Sequence, residues 1–176
     1  AEPKIDAVRR LRDGYARLGS EELKRAAREA TSVAEVLAVT AVAELAPVAI
    51  NKDIDLQLTE GDAVHVPGEP ALLAILLRNL IDNAIRYSPR HSVVRVKVAN
   101  AGDGAEFAVI DQGPGIPAES RALVWERFYR VLGSGETGSG LGLSIAKRIA
   151  DLHGATVDLS EGDGGQGLRV SVTFPV

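Results

Sequence analysis

From Ala71 to Tyr87 apolar residues run almost all the way round a helix, and the exceptions fall on one line. Arg78, Asn79, Asp82, Asn83 and Arg86 stand at i, i+1, i+4, i+5 and i+8, a single polar stripe at helical periodicity. A helix that is apolar nearly all round is buried. Buried amides persist only where something satisfies them. The stripe therefore reads as the lining of a site rather than as a solvated face. Ser88 and Pro89 end this helix.

Weaker patterns flank it. Residues 1–30 are charge-rich, with Val8, Leu11, Tyr15 and Leu18 at heptad-like spacing, which predicts a linker or dimer helix. Ser32 and Glu35 have capping-box spacing, so a second helix is expected from Ser32. Its apolar face is expected to include Val33, Val36, Leu37, Val39, Leu45 and Val48. Alternation predicts a half-buried strand over Asp53–Leu58, and a short strand follows through Val66. Further strands are expected over Val93–Val98 and Glu106–Ile110, then a tight loop from Asp111 to Pro117. Ala118–Trp125 begins a short helix, Arg127–Ser139 is rich in Gly and Ser, and Gly140–Leu152 is helical again. Thr156–Leu159 and Leu168–Phe174 close the chain as a hairpin. This order predicts an α/β (α+β) two-layer sandwich, a mixed sheet with helices on one face plus an N-terminal helical extension. Residues 1–31 form the extension and 32–176 the domain.

Composition narrows the field. With 176 residues, one domain is expected, burying roughly 70% of the extended-chain surface. There is no Cys, which excludes disulfides, thiolate catalysis, zinc fingers and iron–sulfur clusters. Twenty Lys and Arg against 24 Asp and Glu leave a net charge of −4, so no nucleic-acid partner is expected. The longest uninterrupted apolar run, Ala71–Leu77, is far short of a membrane span, and no signal peptide opens the chain. No membrane contact by this fragment is expected. Met is absent and the chain begins at Ala1, so we expect a piece of a longer or processed protein.

Three glycine loops invite a phosphate reading. Gly133, Gly135 and Gly138 satisfy G-x-G-x-x-G, but the preceding segment is charged and follows a helix instead of a strand, which disfavours a dinucleotide fold. Gly135 and Gly140 have P-loop spacing, but Leu141 stands where Lys is required. Gly138-Ser139-Gly140-Leu141-Gly142 is better placed, because it runs straight into an amphipathic helix. A helix start offers unpaired N–H groups and partial positive charge to an anion.

Taken in order, four segments resemble the sensor histidine kinases. Asn79-Leu80-Ile81-Asp82-Asn83-Ala84-Ile85-Arg86-Tyr87-Ser88 resembles their asparagine box. Asp111-Gln112-Gly113-Pro114-Gly115-Ile116 resembles the first glycine box, and Glu126-Arg127-Phe128-Tyr129-Arg130 the phenylalanine box. Gly138 to Ile145 resembles the second glycine box. The resemblance covers about residues 32–176 and implies the Bergerat ATP-binding fold, shared with type II topoisomerases, MutL repair proteins and heat-shock chaperone ATPases. It implies ATP and Mg²⁺ as cofactors. Asn83 would chelate the magnesium, with Asn79 beside it, and Arg86 would contact phosphate. Tyr87 would pack on adenine and Asp111 would accept from its amino group, while Gly113, Gly115 and Ile116 belong to the loop passing the base. Arg127 and Arg130 would contact phosphate, and Phe128 would anchor a mobile lid over about Arg130–Ser139. Gly138, Gly140 and Gly142, with Leu141 and Leu143 between and after them, would wrap the phosphates.

One departure bears on activity. The family's phosphoacceptor sequence, like His-Glu-Leu-Arg-Thr-Pro, is absent. His65, His91 and His153 each read as structural, with His153 at a helix end that favours partial positive charge. The expected partners are therefore a histidine-bearing dimerisation domain of the same protein and a response regulator receiver domain. The parent is expected to be a homodimer anchored in the inner membrane, with this domain in the cytoplasm. The alternatives are an ATPase or an anti-sigma serine kinase of the same fold. An ATPase has Glu four residues before the magnesium Asn; here that residue is Asn79, which cannot take a proton from water.

Overall fold

The computed structural model describes residues 31–59, 64–102, 104–131, 135–136 and 138–175. In chain order the elements are β1 (Thr31–Val33), α1 (Ala34–Asn51), β2 (Asp55–Thr59), β3 (His65–Pro67), α2 (Pro70–Tyr87), β4 (Val93–Ala101), β5 (Gly104–Ile110), α3 (Gly142–Leu152), β6 (Thr156–Glu161) and β7 (Leu168–Phe174). Single 3-10 turns lie at Ala118–Ser120 and Asp163–Gly165. The expected N-terminal extension lies outside the described residues, save Thr31, which begins β1.

One sheet runs in the order β2-β4-β5-β7-β6. β2 pairs parallel to β4, and the other neighbours are antiparallel. A parallel pair needs a long crossover, and α2 lies within it. β1 and β3 form a separate antiparallel pair. Along β4, Val94, Val96 and Val98 are buried beneath the helices while Arg95 and Lys97 alternate to the other side. On that open face Arg95 pairs with Asp163 at 2.6 Å and Arg169 with Glu106 at 2.7 Å. α1 packs on β2 and β4, α2 on β4 and β5, and α3 on β6. This is the expected sandwich: a mixed sheet with helices on one face. Phe107 and Phe174, both fully buried, meet edge to face at 5.7 Å in its core.

α1 departs from expectation twice. It begins at Ala34, because Ser32 belongs to β1; the Glu35 carboxylate accepts the Val64 N–H instead of capping a helix start. Its inward stripe is Ala34, Leu37, Ala38, Ala41, Leu45 and Ala49, whereas Val36, Val39 and Val48 face solvent. Small side chains face the core so that α1 can lie close to α2 and the sheet. By length and composition α1 could also cross a membrane, although Glu35, Thr40 and Glu44 break its apolar run; its inner face is packed on the core.

α2 is closely as expected. Glu69 caps it by accepting the Leu72 N–H at 3.0 Å, and Pro70 takes the first turn, where a missing donor costs nothing. Lys52 Nζ donates to the last-turn carbonyls of Ile85 and Arg86. Ala118–Trp125 forms only the 3-10 turn and further turns, and α3 starts at Gly142 rather than Gly140.

Candidate functional site

The polar stripe of α2, the loop after β5 and the segment entering α3 line one cavity of about 410 Å³. From α2 come Asn79, Asp82, Asn83, Arg86 and Tyr87; from the loop, Asp111, Pro114, Gly115, Ile116 and Pro117. Tyr129, Arg130, Val131, the run Gly138–Leu143 and Ile145 supply a third wall, and Val124 and Leu168 add apolar surface. Arg78, on the edge of the stripe, instead approaches Glu44 at 3.8 Å.

Asp111 is 5% exposed, immediately after the end of β5. Its Oδ1 accepts the backbone N–H of Gly113 at 2.9 Å and of Leu168 at 3.1 Å. No described residue bonds to Oδ2. Burial pushes the carboxyl pKa up, and the two backbone bonds pull part of the way back. A carboxylate held this way has Oδ2 left to accept a further hydrogen bond.

Asn79 donates its Nδ2 to Ile75 O one turn back, at 2.8 Å, which turns Oδ1 toward Gly142 at the start of α3. The Asn83 side chain makes no hydrogen bond with the described residues. Arg86 pairs with Asp82 Oδ2 at 2.9 Å and lies directly against Gly138. α3 has no side-chain cap at its N-terminus, so its first N–H groups are open to an anion. Among the described residues no group of three acidic, His or Cys side chains could hold a metal. The amide oxygens of Asn79 and Asn83 suit a hard cation that carries most of its ligands with it, as magnesium on nucleotide phosphates does.

The family model described as histidine kinase-, DNA gyrase B-, and HSP90-like ATPase matches residues 68–176. The chain belongs to this family. It is 44% identical to the sensor protein QseC of Escherichia coli K12 over 141 residues, 80% of this chain and 30% of QseC. Among solved structures, a mycobacterial sensor histidine kinase, MprB, superposes with a TM-score of 0.72 at 30% identity, covering 83% of this chain and 96% of that one. Full-length ShkA in complex with AMPPNP gives 0.72 at 25% identity, covering 83% of this chain and 30% of that one.

Within the kinase fold, three expected site residues stand apart from the cavity. Gly113 does not line it; its N–H holds Asp111, and it packs on the Tyr87 carbonyl. Arg127 is exposed outside it. The Phe128 side chain is 68% exposed and anchors nothing by packing. Its backbone does the anchoring: the Phe128 N–H donates to Gly140 O at 3.0 Å, joining the two ends of the expected lid. Gly140 has φ +71, and a Cβ there would stand 2.9 Å from the Phe128 carbonyl carbon, so only glycine closes this junction. Residues 132–134 and 137 of that segment lie outside the described residues.

His153 corrects a second expectation. Its Nε2 accepts the Glu69 N–H at 3.2 Å and its Nδ1 lies 2.7 Å from Ile149 O, a pairing that a neutral ring protonated at Nδ1 satisfies. Burial lowers its pKa, so the ring is neutral despite the helix end. It bridges the start of α2 to the end of α3. His65 and His91 are exposed, on β3 and in the turn after α2.

Sequence reasoning assigned no role to Asp82, Tyr129 or Leu168. Asp82 was visible in the stripe as the partner one turn before Arg86. Tyr129, whose hydroxyl bonds Ser120 Oγ at 3.3 Å, stood inside the phenylalanine box. Leu168 carried no local signal, since only the pairing of β5 with β7 brings it to Asp111.

Proposed function

We propose that this domain binds Mg-ATP in the cavity and transfers its γ-phosphoryl group to a histidine on a dimerisation domain of the same protein. That phosphoryl group then passes to an aspartate of a response regulator receiver domain. The supporting observation is the convergence on one cavity of a buried acceptor, Asp111, with the α2 amides and the open N-terminus of α3. AMPPNP, an ATP analogue, is bound by the structural relative ShkA. The chain spans 30% of QseC, and the acceptor histidine would come from the part not shared.

Phosphoryl transfer needs little covalent help and much positioning. Asp111 accepts from the adenine amino group, and Tyr87 and Ile116 flank the base. The N–H groups at the start of α3 and the Arg86 guanidinium offset phosphate charge. Asn83 and Asn79 hold the magnesium, which supplies charge neutralisation on the phosphates. An incoming imidazole nitrogen takes the γ-phosphoryl group as the bond to ADP breaks. Asn79 and Asn83 have no basicity to activate water, so hydrolysis is disfavoured. On this reading the parent is anchored in a membrane and the domain works in the cytoplasm.

Incubation with γ-labelled ATP and a separately supplied histidine domain tests this. The acceptor gains acid-labile phosphate while the chain itself stays unlabelled. Labelling of His65, His91 or His153, or phosphate release without acceptor labelling, refutes it.

A further inference from the structure

The turn between β6 and β7 lies against the loop after β5 more closely than side chains would permit. Gly167 has φ +80, and a Cβ there would stand 2.0 Å from the Asp111 carbonyl oxygen and 2.9 Å from the Gln112 Cα. On the other side a Cβ at Gly115 would stand 3.0 Å from Gly167 O. Two hydrogen bonds then cross between the segments. Asp111 N donates to Leu168 O at 2.9 Å, and Leu168 N donates to Asp111 Oδ1 at 3.1 Å. The first continues the β5–β7 ladder by one step; the second bonds the side chain itself.

We infer that Gly167 and the Leu168 N–H are positioning elements for base selection. They fix the plane in which the Asp111 carboxylate faces the nucleotide. Gly113 and Leu168 together hold one carboxylate oxygen, so the carboxylate cannot tilt out of its plane without losing two donors. Oδ2 is thereby presented as a fixed acceptor. A carboxylate free to swing could bring a water between itself and a 6-oxo purine, and discrimination would fade. Selectivity for adenine thus depends on a turn more than fifty residues from Asp111 in sequence, since Leu168 is separated from it by 57 positions. This inference rests on the proposed reading that Asp111 accepts from adenine.

The test measures the affinities of ATP, ITP and inorganic triphosphate on the full chain. Wild type prefers ATP to ITP by about thirtyfold or more, as expected for one lost bond and one unpaired buried acceptor. Gly167→Ala lowers that ratio by about tenfold, one bond's worth of discrimination, while triphosphate affinity stays unchanged. Gly165→Ala is the control, because Gly165 has φ +78 in the same turn but does not meet Asp111. It lowers the melting temperature and keeps the ratio. Should Gly167→Ala fail to fold, an ester at the Gly167–Leu168 bond, made by ligating a synthetic C-terminal peptide, removes the N–H with every side chain kept, and the ratio falls likewise. A wild-type ratio in a folded Gly167→Ala protein or in the ester overturns the inference, as does equal loss in Gly165→Ala. Asp111→Asn separates the two levels. If it too leaves the ratio unchanged, the adenine reading is wrong; if it alone changes the ratio, only the role of the turn is wrong.

Discussion

Replacing Asp111 with asparagine does more than remove a charge. The N–H groups of Gly113 and Leu168, at 2.9 and 3.1 Å from Oδ1, require an acceptor there. The asparagine amide must therefore place its oxygen at the Oδ1 position and its NH₂ where Oδ2 stood. That NH₂ would meet the adenine amino group donor to donor. A hydrogen bond to a charged acceptor contributes about 1.5–3 kcal/mol, so ATP should weaken by roughly 10- to 150-fold. The same NH₂ suits a 6-oxo purine, and a neutral bond of about 0.5–1.5 kcal/mol should strengthen ITP by roughly 2- to 10-fold. The expected result is an inverted preference, not a uniform loss. The fold should tolerate the change, because an amide escapes the desolvation that raises the Asp111 pKa. Competition titrations of ATP, GTP and ITP on both proteins, with thermal melts alongside, measure this. Unchanged ATP affinity in the variant would show Asp111 to be only a turn residue. Loss of ATP without gain of ITP would show that the amide is not held in the orientation argued here.

The remaining predictions concern metal, pH and packing. Asn83→Ala should weaken nucleotide binding in magnesium by about 1–3 kcal/mol and leave binding in EDTA little changed, since the amide oxygen is proposed as a metal ligand. His153 has a folded pKa below its unfolded value of 6.5, so its contribution is present above pH 6.5 and is lost as pH falls through the window below it. Urea midpoints should drop from pH 7.5 to 5.5, and less so in His153→Gln. Asp111 acts with opposite sign: its raised pKa adds stability as pH falls from its folded value toward 3.8. Phe107→Ala, at a site with no exposure and an edge-to-face partner in Phe174, should cost about 3–5 kcal/mol in a denaturant titration; a loss under 1 kcal/mol would contradict the placement of the core.

What was legible in the sequence was whatever depends on neighbours along the chain. α2 could be read to within one residue, because its period, Pro70 and Ser88-Pro89 are all local signals. The asparagine stripe declared itself by contrast with that apolar background. The strands alternate, and the glycine loops show themselves by composition, so the motif residues could be named and most of them line one cavity. The inward face of α1 was legible only at Leu37 and Leu45. Valines promise more buried area than alanines, but only the distance to α2 and the sheet decides that Ala34, Ala38, Ala41 and Ala49 fit where Val36 and Val39 do not. Likewise a histidine at a helix end favours charge until the Glu69 N–H, from another helix's start, requires its nitrogen as an acceptor. The direction in which Asp111 points is the same kind of fact. Asp-x-Gly supplies one of its two donors locally, and the other reaches it only when β7 pairs with β5. Periodicity and motif spacing determine which groups are present. Orientation and protonation follow from what packs against them, and that is set by pairing between segments far apart in the chain.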